Sequence, residues 1–80
     1  MSDPVYMSDP VYKIVELVGT SDKSISDAID TAIKKASKSL RHIDWFEVGQ
    51  VRGAVSDGKV GKYQVTLKVG FTLEGEDAGG

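Results

Sequence analysis

Few side chains in this sequence could do covalent chemistry. There is no cysteine, and His42 is the only histidine. That removes thiolate nucleophiles and disulfides, and leaves too few ligands for a zinc cluster. Neither a phosphate-cradling GxxxxGK[ST] loop nor a GxGxxG turn is present. Asp27 and Asp30 stand three apart, but the surrounding pattern puts both on the polar side of a helix, where solvation explains them. An enzyme needs an activated nucleophile or an acid–base pair in a pocket. No such pair is evident, and a non-enzymatic role is expected. Binding chemistry remains: Trp45, the single tryptophan, offers a π surface, and Gln64 a donor–acceptor amide edge.

The elements that must position these groups follow from periodicity. Val11 to Gly19, rich in Val, Ile and Leu, reads as a first strand. Thr20-Ser21-Asp22-Lys23 is a turn, and Ser24 followed by Asp27 resembles a capping box with a shortened acid. Ile25, Ala28, Ile29, Ala32, Ile33, Ala36 and Leu40 recur at steps of three and four, one apolar stripe on a helix running to about Arg41. Trp45 to Val55 and Val60 to Leu73 are two more strands, and Asp57-Gly58 between them is a strong hairpin signal. The fold class is α+β, in the order β-α-β-β. Placing the third strand in the middle gives a three-stranded antiparallel sheet packed on one helix.

Counting outward from the turn sets a register. Phe46 meets Val69, Val48 meets Leu67 and Gln50 meets Val65 on the helix side. Trp45 meets Gly70, Glu47 meets Lys68, Gly49 meets Thr66, Val51 meets Gln64 and Gly53 meets Lys62 on the other. A bulge at Gly49 or Gly53 would shift the count. Trp45 therefore lies away from the helix, opposite a glycine, and an aromatic so placed must meet a second subunit, a ligand, or both. The helix spans about 27 Å and the third strand about 46 Å, so one helix cannot cover the sheet.

Composition agrees. A chain of 80 residues is one small domain, with 40% hydrophobic and 28% charged residues. Such a core rarely suffices alone, and without disulfides or a metal the remaining support is oligomerisation. A net charge of -2 and a pI of about 5.2 speak against nucleic acid as a partner. The apolar runs are too short to cross a membrane, and no basic stretch followed by an apolar run marks a signal peptide, so a cytoplasmic location is expected. Met1-Ser2-Asp3-Pro4-Val5-Tyr6 is repeated as Met7-Ser8-Asp9-Pro10-Val11-Tyr12. Two copies make no solenoid. Residues 1–10 read as a duplicated, disordered lead-in, 11–74 as the domain, and 75–80 as a flexible acidic and Gly-rich tail.

The segments Glu16-Leu17-Val18-Gly19-Thr20-Ser21, Leu40-Arg41-His42-Ile43-Asp44-Trp45-Phe46-Glu47-Val48, Val51-Arg52-Gly53 and Tyr63-Gln64-Val65-Thr66-Leu67-Lys68-Val69-Gly70-Phe71 resemble the bacterial dodecins, in order and over about residues 12 to 74. The resemblance implies a hollow homo-dodecamer that stores or buffers flavin and protects it photochemically. Flavin pairs are stacked between tryptophans of neighbouring subunits. FMN is the flavin it implies, with riboflavin or FAD as others and coenzyme A as a further ligand. Trp45 matches the stacking tryptophan and Gln64 the glutamine at the pyrimidine edge of the isoalloxazine. Arg52 matches a basic position suited to the phosphate, with Lys13 and Lys62 as weaker candidates that are more simply surface charges. Asp44 could accept from the ribityl hydroxyls or close the start of its strand. Many relatives carry a base where this chain has Thr72, which weakens phosphate and coenzyme A recognition. A flavin covered on both faces leaves no room for a substrate. Trp45 and Gln64 lie about 20 Å apart along the sheet, so each flavin is expected to take them from different subunits. Glu16, Glu47 and Lys68 are candidates for interface ion pairs. Two other readings stay open: a structural oligomeric shell without ligand, and a coenzyme A-binding protein without a primary flavin role.

Overall fold

The computed structural model describes residues 9–73. The order is β1 (Tyr12–Ser21), α1 (Ile25–Ala36), β2 (Ile43–Ser56) and β3 (Lys59–Thr72). The three strands form one antiparallel sheet in the order β1-β3-β2. Most of the lead-in and tail expected from the sequence lies outside the described residues. No helix among those described is long and apolar enough to cross a membrane.

Local signals account for the boundaries. Asp57 and Gly58 take φ of 54° and 74°, the two left-handed residues that a tight hairpin of type I′ requires. At the start of α1 the Asp27 backbone N–H donates to Ser24 Oγ at 2.9 Å. Asp27 completes the cap differently from a capping box, because its carboxylate accepts from Ser21 Oγ at 2.7 Å. Ser21 Oγ in turn accepts the N–H of Lys23 at 2.9 Å and of Ser24 at 3.4 Å. The buried Ser21 thus replaces the reach that the short acid lacks, and ties the end of β1 to the helix.

The helix stops at Ala36, earlier than the apolar spacing predicts. Beyond it the backbone tightens: Lys38 donates to the Lys35 carbonyl at 3.2 Å and Ser39 to that of Ala36 at 3.0 Å. Leu40 nevertheless packs against the core. Its spacing registered burial, while Ser37-Lys38-Ser39 favoured a closing turn over further helix. His42, at φ 62°, then redirects the chain into β2.

The expected register holds at both ends of the hairpin and fails in its middle. Ser56 faces Lys59, and Trp45, Phe46, Glu47 and Val48 face Gly70, Val69, Lys68 and Leu67. Between them β2 carries an extra residue at Gly49-Gln50 and β3 one at Gly61-Lys62, so the two bulges cancel. Within that window Val51 faces Val65, Arg52 faces Gln64 and Gly53 faces Tyr63, in place of the expected Gln50–Val65, Val51–Gln64 and Gly53–Lys62 pairs. A third irregularity at Asp44 sets Ile43 against Phe71.

Ala28, Val65, Leu67 and Val69 are fully buried, with Val15, Leu17, Ile29, Ala32, Ile33, Leu40 and Ile43 packed around them. The helix lies over β1 and β3. It approaches β1 closely at Gly19, where a Cβ would come to 3.0 Å of Ala32 Cβ and collide with the Ala28 carbonyl. The helix-side residues of β2, Phe46, Val48, Val51 and Val55, remain exposed.

Candidate functional site

The face of the sheet turned from the helix carries Trp45, Gln64 and Arg52, with Glu16, Glu47 and Lys68 between them. Reading across β1, β3 and β2, its rows are Ile14–Gly70–Trp45, then Glu16–Lys68–Glu47, then Thr20–Gln64–Arg52. Phe46 faces the buried Val69, so alternation turns Trp45 to the opposite side. There the indole lies across Gly70. Any Cβ at position 70 would overlap the ring, with Cε2, Cζ2 and Nε1 as its nearest atoms. The glycine is what allows a large aromatic to lie down on the middle strand.

Two neighbours fix this end of the site. Tyr12, at the start of β1, meets Trp45 edge-on, with ring centroids 6.0 Å apart and planes at 69°. Asp44 accepts a short hydrogen bond from Thr72 Oγ1. That bond holds the bulged residue of β2 against the end of β3, and engages the Asp44 carboxylate within the protein. The sequence reading missed Tyr12, because its place beside Trp45 depends on the β1–β3 register, which no tight turn fixes.

At the other end, the bulges bring Arg52 directly opposite Gln64, and both side chains are exposed. The sequence had set Gln64 against Val51; the shifted register instead gathers an amide and a guanidinium at one spot. This pair stands six residues from the Trp45 row, about 20 Å along the sheet. Lys13 shares a row with Phe71 on the helix side, and Lys62 forms an exposed ion pair with Asp22 at 3.4 Å. Between the two ends Lys68 lies between Glu16 and Glu47, one row from Trp45. Among the described residues no group of three or more His, Asp and Glu side chains could hold a metal ion.

The indole and the amide–guanidinium pair stand at opposite ends of one sheet face, about 20 Å apart. Comparison with known proteins decides what kind of protein has this arrangement. The sequence profile of the dodecin family matches residues 11–74. This chain belongs to the dodecin family. It is 55% identical over 64 residues to the dodecin of Thermus thermophilus, covering 80% of this chain and 93% of that protein. The dodecin structure from Streptomyces coelicolor superposes with a TM-score of 0.79 at 50% identity, covering 85% of this chain and 97% of that one. The dodecin from Streptomyces davaonensis gives 0.78 at 45% identity, with 82% and 97% covered. Dodecins are non-catalytic, small-molecule-binding shell proteins built as homo-oligomers.

Proposed function

We propose that this dodecin binds flavin, FMN foremost, in a hollow dodecamer, and stores and shields it without transforming it. The observation that carries this reading is the indole of Trp45 laid across Gly70 on a face the helix does not cover. A planar, electron-poor ring system is the ligand such a surface recognises, and flavin supplies both that ring and a donor–acceptor edge. Gln64, exposed on the same face, has the mixed donor and acceptor character that edge needs. Arg52 stands beside it as a second donor. Because about 20 Å separates Trp45 from Gln64, one flavin meets them on different subunits. The sheet leaves apolar residues uncovered on both sides, Ile14 and Val18 on one and Phe46, Val48 and Val51 on the other. A closed shell needs at least two distinct interfaces per chain, a self-complementary one at two-fold axes and a head-to-tail one that closes a ring. Storage and photoprotection are two outcomes of the same stacking, since an indole in contact with an excited flavin quenches it. A cytoplasmic location completes the proposal.

Titration of FMN with ligand-free protein, followed by flavin fluorescence, tests this reading. The parent should quench the flavin strongly and saturably. Trp45→Ala should weaken binding by about tenfold or more, since stacking a planar base on an aromatic side chain is worth ~1–3 kcal/mol. An assembled oligomer that leaves FMN fluorescence unchanged would overturn the proposal, and a ligand-free shell would take its place.

A further inference from the structure

The ring of Trp45 lies where its own strand pair gives it least support. Gly70 beneath it has no side chain, and Asp44 before it is bulged out of the β2–β3 pairing. Strands β1 and β2 flank β3 and stand about 10 Å apart. Across that gap Tyr12 of β1 meets the indole edge-on, with ring centroids 6.0 Å apart. We propose that Tyr12 is a positioning residue for the stacking surface, holding the indole in its binding pose before a ligand arrives. The proposal deepens the flavin reading and rests on it.

Three observations carry it. The indole occupies the space above the middle strand that a side chain at position 70 would fill, and this brings it within reach of β1. Tyr12 stands on fixed backbone: it pairs with Thr72, and the Leu73 N–H donates to the carbonyl of Val11 at 2.8 Å. The start of β1 is thus closed onto the end of β3 beside the ring. Finally, the contact is made by the aromatic ring and not the hydroxyl, which has no hydrogen-bond partner among the described residues. With the planes at 69°, the positive rim of one ring meets the negative face of the other, a preference no aliphatic side chain shares.

The consequence is preorganisation. An indole free to turn loses that freedom when a ligand stacks on it, and immobilising one side chain weakens association by about two- to tenfold. Tyr12 removes that penalty in advance. It acts through the indole alone, so FMN and riboflavin benefit equally. Tyr12 is 41% exposed, and its replacement takes little from the core.

Trp45 is the single tryptophan, so its emission reports the motion of the indole directly. The test compares assembled parent with Tyr12→Phe, Tyr12→Leu and Tyr12→Thr, the last two keeping a strand-compatible residue of different size. In ligand-free shells, the anisotropy of Trp45 emission should decay with the tumbling of the whole particle in the parent and in Tyr12→Phe. The Leu and Thr variants should gain a fast local component, on the nanosecond or shorter scale of side-chain motion. They should also lose about two- to tenfold in affinity for FMN and for riboflavin alike, while Tyr12→Phe keeps the parent's affinity. A fast component already present in the parent, or absent from the Leu and Thr variants, would overturn the proposal. So would a freed indole with unchanged affinity, a loss for one flavin only, or a Phe variant that behaves like Leu. A parent that binds neither flavin would sink the underlying reading instead, and the ligand-free anisotropy would still show whether Tyr12 holds the ring.

Discussion

At Gly70 the absence of a Cβ lets an indole lie across the middle strand, and this places the candidate stacking surface under unusually simple control. Alanine there would overlap Trp45 at Cε2 and Cζ2, so the ring must lift or swing aside. Gly70→Ala should therefore retain the assembled fold, at an overpacking cost of about 1–3 kcal/mol. It should also lower FMN affinity by about tenfold or more as the stacking geometry is lost. The two effects are measured separately, by thermal melting and by fluorescence titration. Parent-like FMN binding by a folded Gly70→Ala protein would show that the resting position of Trp45 is irrelevant to the ligand. This pairing was legible in the sequence because it lies where the register counted from Asp57-Gly58 returns to phase. The Arg52–Gln64 pair was not, since it sits between two bulges on different strands whose effects cancel by the time the count reaches Trp45. Glycines at 49, 53 and 61 mark where a strand could bulge, but not which strand takes up the extra residue.

The helix is held to the sheet mainly where β1 meets α1. Gly19 admits the helix backbone, and Ser21 joins the end of β1 to the helix cap through Asp27. Gly19→Ala should force the helix off the sheet, because the group it strikes is the rigid Ala28 carbonyl and not a flexible side-chain tip. A destabilisation of about 1–3 kcal/mol follows, read as a lower melting midpoint. An unchanged midpoint would mean that the contact relaxes at no cost. Element types and order were readable from alternation, helical spacing and one Asp-Gly turn. The end of the helix was not, because the buried Leu40 keeps the helical spacing through a chain segment already in tighter turns. Apolar periodicity reports which side chains reach the core, and hydrogen bonding decides how the backbone gets them there.

The same separation of ends governs the whole molecule. Trp45 and Gln64 share one face of a continuous strand pairing, about 20 Å apart, and a hydrogen-bonded sheet does not fold that distance away. On the proposed reading a ligand that touches both lies between chains, and the apolar residues left uncovered on each side of the sheet are the surfaces available for those contacts. This division allows a test that no single substitution offers. Trp45→Ala and Gln64→Ala oligomers should each bind FMN weakly when prepared alone. Unfolded together and refolded as mixed shells, they should regain a fraction of full-affinity sites. Those are the sites where the glutamine of a Trp45→Ala subunit meets the tryptophan of a Gln64→Ala subunit. Separately refolded and then combined oligomers, never exchanging subunits, provide the control and should regain none. A site built within one chain predicts no recovery in the mixed shells, because every chain then lacks one of the two groups. Recovery that needs subunit mixing would make assembly itself the step that creates the binding site, and dilution-driven dissociation should then release flavin.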